Sequence, residues 1–395
     1  MLMTRNYLDE MLLQADIIDA QYRKAVEQLL AANMADSEPR SSLFSIMKGV
    51  FPGDLLQYKP ELKGAWATPQ GPSIPTYYPE LHALNYEWYF TTQTAENLVQ
   101  EFVSPHGLTV CLGTPTVASA AVRKDKNIIL VDQNPAILAR FPGLSWSSEL
   151  HLMNAADAGR LSLKADALIF DSPWYLGDIL AWLAASSCLV RPGGTIVFAL
   201  YPSLIRPTAQ LERDFVLEVA SAIGDVKIME DSLAYETPLF EAEALKACGF
   251  SFVGEWRRGD TVVIQDTRPL KLSLPNLPSR SEVDGQWESF LIGSQVLKLR
   301  AKTQQESTRH FQSFLEPVGE SFAFASVSVR HDRRNEADLW TSRNRVAKTR
   351  DRNTLRSILR QLQAGVTLHD ALAPHANTLG LAGEDQMRAI LLLEN

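Results

Sequence analysis

The chain has 395 residues, of which 46% are hydrophobic and 21% charged, and its formal net charge is −8. These values are typical of folded globular domains, and they exclude a chain that is disordered throughout or basic over its whole length. No apolar run reaches the roughly 18 residues that a membrane-spanning helix needs, and the first residues are too polar for a signal peptide. We therefore expect a cytoplasmic protein that binds no membrane.

The first part of the chain predicts an arm and a wrapping segment. Apolar side chains between Leu8 and Leu30 recur among polar ones, which predicts an N-terminal helical arm over residues 1–35. Such an arm packs against the chain, or it binds a protein partner or a second copy in a homodimer. Residues 36–79 are rich in Pro, Gly, Ser and Tyr, which is typical of an irregular segment that wraps a surface or forms a lid.

Short apolar runs alternate with helix-length stretches over residues 80–267. The pattern predicts strands at 109–113, 127–132, 165–171, 194–201, 225–230, 250–256 and 261–266, and helices at 93–103, 115–123, 178–190, 208–223 and 239–248. This alternation is typical of a mostly parallel sheet with helices on both faces, an α/β fold. The last two strands, with a turn at Arg258–Asp260, are expected to form a closing antiparallel pair.

The remaining residues predict a linker and a smaller domain. Residues 268–285 are rich in Pro and Ser, as linkers are. Residues 286–395 predict an α+β domain that binds substrate or a partner, with strands within 288–300 and 320–330, a helix at 353–363 and two short helices in the tail.

Positive charge is concentrated between Arg330 and Arg360, where ten Lys and Arg face four Asp and Glu. With Trp340 among them, these residues could follow a phosphate backbone and offer one stacking surface to a base. Arg343 and Arg345 are the candidate substrate contacts there. A solvated helix face explains the same charges.

Metal binding is not expected. The three cysteines and seven histidines show none of the short spacings that build zinc sites.

Small and polar residues follow the first two predicted strands, where ligands bind in open α/β sheets. Gly113 allows the backbone to approach a ligand closely, and Pro115 suits the first turn of a helix whose amides face that ligand. Asp132 lies 19 residues after Gly113, the spacing at which nucleotide-binding units place an acid on the ribose hydroxyls. An acid at a strand end is also an ordinary turn residue or helix cap.

The tetrapeptide Asp171-Ser172-Pro173-Trp174 follows the next strong strand. Its carboxylate and a backbone carbonyl could accept hydrogen bonds from an amine and orient the nitrogen lone pair, while the aromatic ring stacks on a flat group. A loop that only ends a strand and packs there would use the same residue types.

An ordered set of motifs carries a family resemblance. The runs Tyr86–Phe90, Cys111–Thr116, Leu130–Asp132 and Ile169–Trp174 resemble the family of N6-adenine methyltransferases, which contains the eukaryotic elongation factor 1A lysine methyltransferase and the zinc-finger CCHC ribosomal RNA adenine methyltransferase. The resemblance covers about residues 80–270. It implies a class I methyltransferase fold, which is Rossmann-like with a seven-stranded, mostly parallel sheet. It also implies S-adenosyl-L-methionine as the donor and an amino nitrogen as the acceptor.

Position by position, the resemblance implies a site. Asp171 to Trp174 look like the family's (Asp/Asn)-Pro-Pro-(Tyr/Phe/Trp) segment, with Ser172 in place of the first Pro, and Leu112 to Thr116 look like its cofactor loop. The hydroxyl of Thr91 or Thr92 is a helix cap that, if exposed, could meet the cofactor's carboxylate. The expected residues are catalytic Asp171, Ser172, Pro173 and Trp174; cofactor-binding Thr91, Gly113, Thr114, Pro115, Asp132, Asn154 and Asp157; and substrate-binding Tyr175, Arg343 and Arg345.

Three hypotheses for function remain open at this stage. The leading one is methylation of an exocyclic amine of a nucleic acid base, in RNA or DNA, most simply that of adenine. The second is methylation of a protein lysine, because the acidic remainder of the chain could attract a basic partner. The third is a methyltransferase-like interaction subunit without turnover, because Ser172 loosens the loop that a proline would hold.

Overall fold

A computed structural model describes residues 79–134, 137–141, 149–202, 209–248, 257–268, 287–301, 311–327, 333, 336–380 and 382–391. The predicted helical arm at 1–35, the wrapping segment apart from Pro79, the strand at 250–256 and the linker beyond Arg268 lie outside these residues.

The first sheet has seven strands in the order β3-β2-β1-β4-β5-β7-β6. Only β7 runs antiparallel to its neighbours β5 and β6; the other recorded pairings are parallel. This order, with helices on both faces, is the Rossmann-like class I methyltransferase fold, and the predicted fold class is confirmed. The strands are β1 (Thr109–Leu112), β2 (Ile128–Asp132), β3 (Glu149–Leu152), β4 (Ala165–Phe170), β5 (Val190–Leu200), β6 (Asp225–Ala234) and β7 (Arg258–Gln265).

The helices around this sheet begin and end within two residues of their predicted bounds, apart from the short, unpredicted α3. They are α1 (Thr92–Phe102), α2 (Pro115–Val122), α3 (Ile137–Arg140), α4 (Leu176–Leu189), α5 (Ala209–Ile223) and α6 (Leu239–Ala247). One apolar core joins the sheet to α4 and α5 through residues such as Leu183 and Val216. The other joins it to α1 and α2 through residues such as Leu98 and Val117. A parallel sheet buried on both faces follows from the continuous apolar strands.

The second sheet has five strands in the order β10-β12-β11-β9-β8, all antiparallel. Its strands are β8 (Trp287–Ile292), β9 (Gln295–Arg300), β10 (Leu315–Pro317), β11 (Leu339–Thr341) and β12 (Val346–Thr349), and its helices are α7 (Arg352–Gln363), α8 (Leu368–Leu372), α9 (Ala376–Leu379) and α10 (Gly383–Leu391). The helix predicted at 353–363 is confirmed as α7. The tail holds three short helices where two were predicted.

Two local predictions are wrong, and one edge strand was missed. Arg258–Asp260 is the start of β7 and not a turn, and β7 forms its antiparallel pair with β6. Residues 320–327 of the strand predicted at 320–330 form no strand, only an isolated bridge from Ala323 to Arg345. The edge strand β3 was not predicted.

A third apolar cluster joins the two sheets. Leu84, Phe240, Phe324 and Trp340 are buried together there. At its border, the Arg343 guanidinium donates to Glu80 at 2.9 Å, and the carboxylate of Glu80 also accepts from Ser294 on the turn between β8 and β9.

The basic segment is not a free cationic surface. Trp340 is fully buried and donates its indole N–H to Asn344 at 2.9 Å, so the predicted stacking surface is wrong. Arg352 forms an ion pair with Asp338, and Arg356 and Arg360 both bind Glu288. Within the described ranges, no helix is long and apolar enough to span a bilayer.

Candidate functional site

The carboxyl edge of the first sheet holds the predicted cofactor loop. Gly113 follows β1 with a φ of +60°, and a Cβ at this position would lie 2.6 Å from the Trp182 ring. A left-handed backbone and the absence of a side chain are both required here, which explains the glycine. Thr114 is buried and donates its hydroxyl to the Ile169 carbonyl at 3.3 Å, and Pro115 begins α2.

Asp171 lies directly after β4, within a small polar network. The Tyr235 hydroxyl donates to its Oδ1 at 3.1 Å. Desolvation raises the pKa of Asp171 to about 8, against the opposing effects of Tyr235, the Arg257 charge and a hydrogen bond with Trp174. An isolated aspartate ionises near pH 3.9. The protein around this carboxyl therefore favours its neutral form up to neutral pH.

The remaining motif residues form the loop from β4 into α4. Ser172 is buried, and its Oγ has no hydrogen-bond partner within the described part of the chain. The Pro173 carbonyl accepts from the Tyr175 amide at 2.7 Å, and Tyr175 immediately precedes α4 without a side-chain cap bond. The hydroxyl of Ser172 therefore stabilises nothing among the described residues. The packing around it does not explain why a serine stands here in place of the proline of the motif that it resembles.

Trp174 is enclosed by residues that sequence reasoning missed. Its ring meets Tyr235 edge-on at 5.5 Å and lies 6.4 Å from the Tyr201 ring. The Arg257 guanidinium lies over Trp174 at 5.1 Å and over Trp88 at 4.8 Å. Aromatic and cationic groups therefore surround the motif.

Arg257 is itself held by an acid on α6. Its Nε and Nη2 donate to Glu241 Oε1 at 3.1 and 2.6 Å, and the Trp88 indole donates to Glu241 Oε2 at 2.5 Å. Glu241 is fully buried. This fixes the position of the guanidinium beside Trp174.

Asp132 ends β2, two strands from β4 across β1. Its Oδ1 accepts the Asn134 amide at 2.9 Å. Desolvation raises the pKa of Asp132 to about 7, and the nearby charge of Glu87 adds to the rise while hydrogen bonds from Asn134 and Gln133 oppose it. Glu87 and Asn134 were not identified from the sequence.

Three further residues that were predicted to bind the cofactor, Thr91, Asn154 and Asp157, have local structural contacts. Thr91 is buried, and its hydroxyl caps α1 by accepting the Thr94 amide at 3.2 Å, so the expectation of an exposed hydroxyl is wrong. Asn154 is exposed and caps a 3-10 turn over Ala155–Arg160. Asp157 forms an ion pair with Arg160 at 3.1 Å. Asn154 and Asp157 lie past the carboxyl end of β3, the strand next to β2.

The predicted substrate arginines lie on the second sheet. Arg343 is in the turn between β11 and β12, where Glu80 binds it. Arg345 follows it, and its Nε is buried without a partner among the described residues. No cluster of three or more His, Cys, Asp or Glu that could hold a metal ion occurs within the ranges described.

One signal could have found the missed residues. Tyr201, Tyr235 and Arg257 each lie directly at an end of β5, β6 or β7 on the carboxyl edge of the sheet. The sequence prediction ended β6 four residues early, at Glu230, and assigned Arg257 to the link between two other strands. A correct end of β6 would have placed Tyr235 at the site, and a correct start of β7 would have placed Arg257 there.

Comparison with known proteins finds likeness of structure alone. No protein-family profile and no curated protein matches the chain. Two structures of the branched-chain polyamine synthase from Thermus thermophilus, one of them of a mutein, both in complex with N4-aminopropylspermidine and 5′-methylthioadenosine, are 14% and 12% identical over 50% and 51% of this chain, with TM-scores of 0.41 and 0.42. The chain spans 62% and 64% of those chains, somewhat under two thirds.

An rRNA methylase from Streptococcus thermophilus is 10% identical over 43% of this chain and 93% of its own, with a TM-score of 0.30. Values this low carry no activity from one protein to another.

Proposed function

We propose that this chain is an S-adenosyl-L-methionine-dependent methyltransferase that acts on an amino nitrogen, within or near the N6-adenine methyltransferase family. One observation carries the proposal. Asp171 and Trp174 follow β4 at the carboxyl edge of the sheet, beside the left-handed Gly113 turn after β1, with Asp132 after β2. Acids, an aromatic ring and a left-handed glycine turn thus lie at the carboxyl ends of three adjacent strands.

The residues at this edge fit the cofactor. The Asp171 carbonyl lies 3.4 Å from the position that a Cβ of Gly113 would occupy, so the motif and the Gly113 turn are in van der Waals reach of each other. The Asp132 carboxyl accepts main-chain amides from Asn134 and Gln133 and keeps acceptor sites for ribose hydroxyls. Thr114 and Pro115 would line the first turn of α2, Asn154 and Asp157 would lie towards the adenine, and Thr91 would hold the start of α1. The bound cofactor supplies an electrophilic methyl group.

Asp171 would accept a hydrogen bond from the acceptor amine and turn its lone pair towards that methyl group. The ionised carboxylate is the stronger acceptor. Because desolvation raises the pKa of Asp171 to about 8, we expect the rate of transfer to increase with pH from about 7 to about 9. A neutral amine needs no general base before transfer, since its proton can leave afterwards.

The surroundings of Trp174 favour a flat, neutral acceptor. Its neighbours Tyr201 and Tyr235 are aromatic, and Arg257 places a guanidinium 5.1 Å from the ring. A lysine ammonium would have to approach beside that cation, whereas the exocyclic amine of a nucleic acid base carries no charge. We therefore propose a base amine as the acceptor, with lysine as the alternative.

The basic segment carries no part of this proposal. A substrate that uses Arg343 must displace Glu80. Arg343 and Arg345 therefore stay predictions about the substrate, as does Tyr175.

A second candidate is an interaction subunit without turnover. The contacts of the motif favour it: Asp171 is already hydrogen-bonded to Tyr235 and Trp174, and Arg257 covers a face of the Trp174 ring. These contacts would hold the loop in place whether or not a substrate binds.

Transfer of a labelled methyl group to total RNA, DNA and protein tests the proposal. We expect label in nucleic acid. Asp171→Ala should lower transfer at least about a hundredfold and largely spare cofactor affinity, whereas Asp132→Ala should mainly weaken cofactor binding. Asp214→Ala, at an exposed position on α5, is the matched control and should change neither.

Each other outcome has a definite meaning. Label in protein alone would select lysine methylation. Cofactor binding without label in any fraction would select the interaction subunit. Near-normal transfer by Asp171→Ala would exclude the acceptor role of that residue, and a wild-type chain that binds no cofactor would overturn the proposal.

A further inference from the structure

Glu87 is a buried acid that the proposed transfer step does not use. It precedes α1 and is only 9% exposed. Desolvation raises the pKa of Glu87, while hydrogen bonds from Asn85, His82 and Asn134 and the charge of Lys298 oppose the rise. Burying a carboxyl is unfavourable unless hydrogen bonds compensate for the lost water.

The two carboxylate oxygens of Glu87 accept from different donors. Oε1 accepts the side-chain amide of Asn134. Oε2 accepts the side-chain amide of Asn85 at 3.3 Å and the main-chain amide of His82 at 3.4 Å. A glutamine has one acceptor oxygen, so its own amide would face a donor on one side. Because both oxygens of the side chain must accept hydrogen bonds, a glutamate is needed at this position.

Glu87 thereby holds the residue that holds Asp132. Asn134 donates its main-chain amide to Asp132 Oδ1 at 2.9 Å and its side-chain amide to Glu87. The two bonds together fix Asn134, and the main-chain bond carries that constraint to the Asp132 carboxyl.

The same chain of bonds reaches the second sheet. Lys298 on β9 donates its ammonium to Asn85 Oδ1, and Asn85 donates to Glu87. The relay therefore joins β9 to the end of β2 through two amide side chains and one carboxylate. It joins residues that are 166 positions apart in the sequence, from Asp132 to Lys298.

We propose that Glu87 is a positioning residue for the nucleoside end of the site: it fixes Asn134 and Asp132 and, through Asn85, ties them to Lys298 of the second sheet. The inference rests on the proposed function, because it assigns Asp132 to a ribose. It gives the second sheet a role in cofactor affinity that neither Arg343 nor Arg345 supplies.

Calorimetric titration with S-adenosylhomocysteine tests the relay on the full chain. We expect Glu87→Gln to raise the dissociation constant at least about tenfold, the loss of one hydrogen bond to a charged group. Lys298→Met should raise it by a smaller factor. Lys348→Met is the matched control, since Lys348 lies on β12 of the same sheet and pairs with Glu336 at 3.4 Å, outside the relay; its dissociation constant should stay within about twofold of wild type.

A second readout separates positioning from general stability. Wild type should bind adenosine more tightly than 2′,3′-dideoxyadenosine, and this preference should shrink in Glu87→Gln and in Lys298→Met but not in Lys348→Met. A variant that only destabilises the fold would bind both nucleosides more weakly by the same factor. If Glu87→Gln does not fold, the nucleoside preference of Lys298→Met decides the question alone.

The failures are distinguishable. Unchanged affinity and unchanged nucleoside preference in Glu87→Gln and Lys298→Met, with a wild type that binds S-adenosylhomocysteine, would overturn the relay and leave the proposed function intact. A wild type that binds neither S-adenosylhomocysteine nor adenosine would overturn both.

Discussion

Asp171 and Asp132 are acids that the protein makes harder to ionise. Desolvation raises the pKa of Asp171 to about 8 and that of Asp132 to about 7, and it raises the pKa of Glu87 as well. The opposing hydrogen bonds are too few to reverse the effect. Raised pKa values of this kind cluster at functional sites, although buried structural acids show them too. Their consequence for stability is independent of any substrate.

Asp171 should make the folded state less stable at high pH. Its folded pKa of about 8 lies above its unfolded value near 3.9, so its contribution is fully present below about pH 4 and is lost as the pH rises through about 8. Asp171→Asn removes the ionisation. We expect its melting temperature relative to wild type to increase between pH 4 and pH 9, as measured by circular dichroism. A difference that is constant with pH would contradict this.

Gly113 should tolerate no side chain. Gly113→Ala would place an alanine at a φ of +60° with its Cβ 2.6 Å from the Trp182 ring. We expect a loss of about 2–4 kcal/mol in the free energy of unfolding, measured by urea denaturation, from backbone strain and overpacking together. Gly193→Ala is the control, since Gly193 has a φ of +77° and nothing within 4 Å of the added Cβ. Equal losses in the two variants would show that Trp182 contributes nothing.

At the scale of elements, apolar periodicity predicted the long helices and the central strands. It failed where a side chain of a strand has a partner that is distant in the sequence. Gly259 and Asp260 look like turn residues, yet Gly259 lies beside Trp174 and Asp260 pairs with the buried Arg213 at 2.7 Å, both within β7. The edge strand β3 has only four residues, the shortest run in which a polar/apolar alternation can be recognised. A single sequence does not reveal these partners, because they are distant along the chain.

The ion pair between Glu241 and Arg257 should anchor helix α6, whereas the contact between Glu243 and Lys246 on the same helix should not. Glu241→Gln leaves the Arg257 guanidinium buried without its counter-charge, since the two side chains are 0% and 9% exposed. We expect a loss of about 3–5 kcal/mol in the free energy of unfolding in urea. Glu243→Gln, on the same helix, breaks only a 4.0 Å contact with the exposed Lys246 and should cost less than about 0.5 kcal/mol. Similar losses would contradict the assigned role of Glu241.

At the scale of the molecule, the two sheets share a core that the sequence did not predict. Leu84, Phe240 and Trp340 come from three distant segments and are buried in one cluster. Trp340 was expected at the surface because its neighbours in sequence are basic. Arg356 and Arg360 instead pair with Glu288, and the Trp340 indole is fully buried. The predicted division into domains at 268–285 stays a prediction, since that segment is described only at Arg268.

The shared core should make the two sheets unfold together. Calorimetry of the wild-type chain should show one transition, because the cluster packs α6 of the first sheet against Trp340 of the second. Trp340→Ala removes the largest side chain of the cluster, a loss of about 3–5 kcal/mol, and should split the transition in two. Phe314→Ala is the matched control, because Phe314 is equally buried but lies in the second sheet's own core; it should lower the melting temperature and keep one transition. Two transitions in the wild type, or a single one in Trp340→Ala, would mean that the cluster does not couple the sheets.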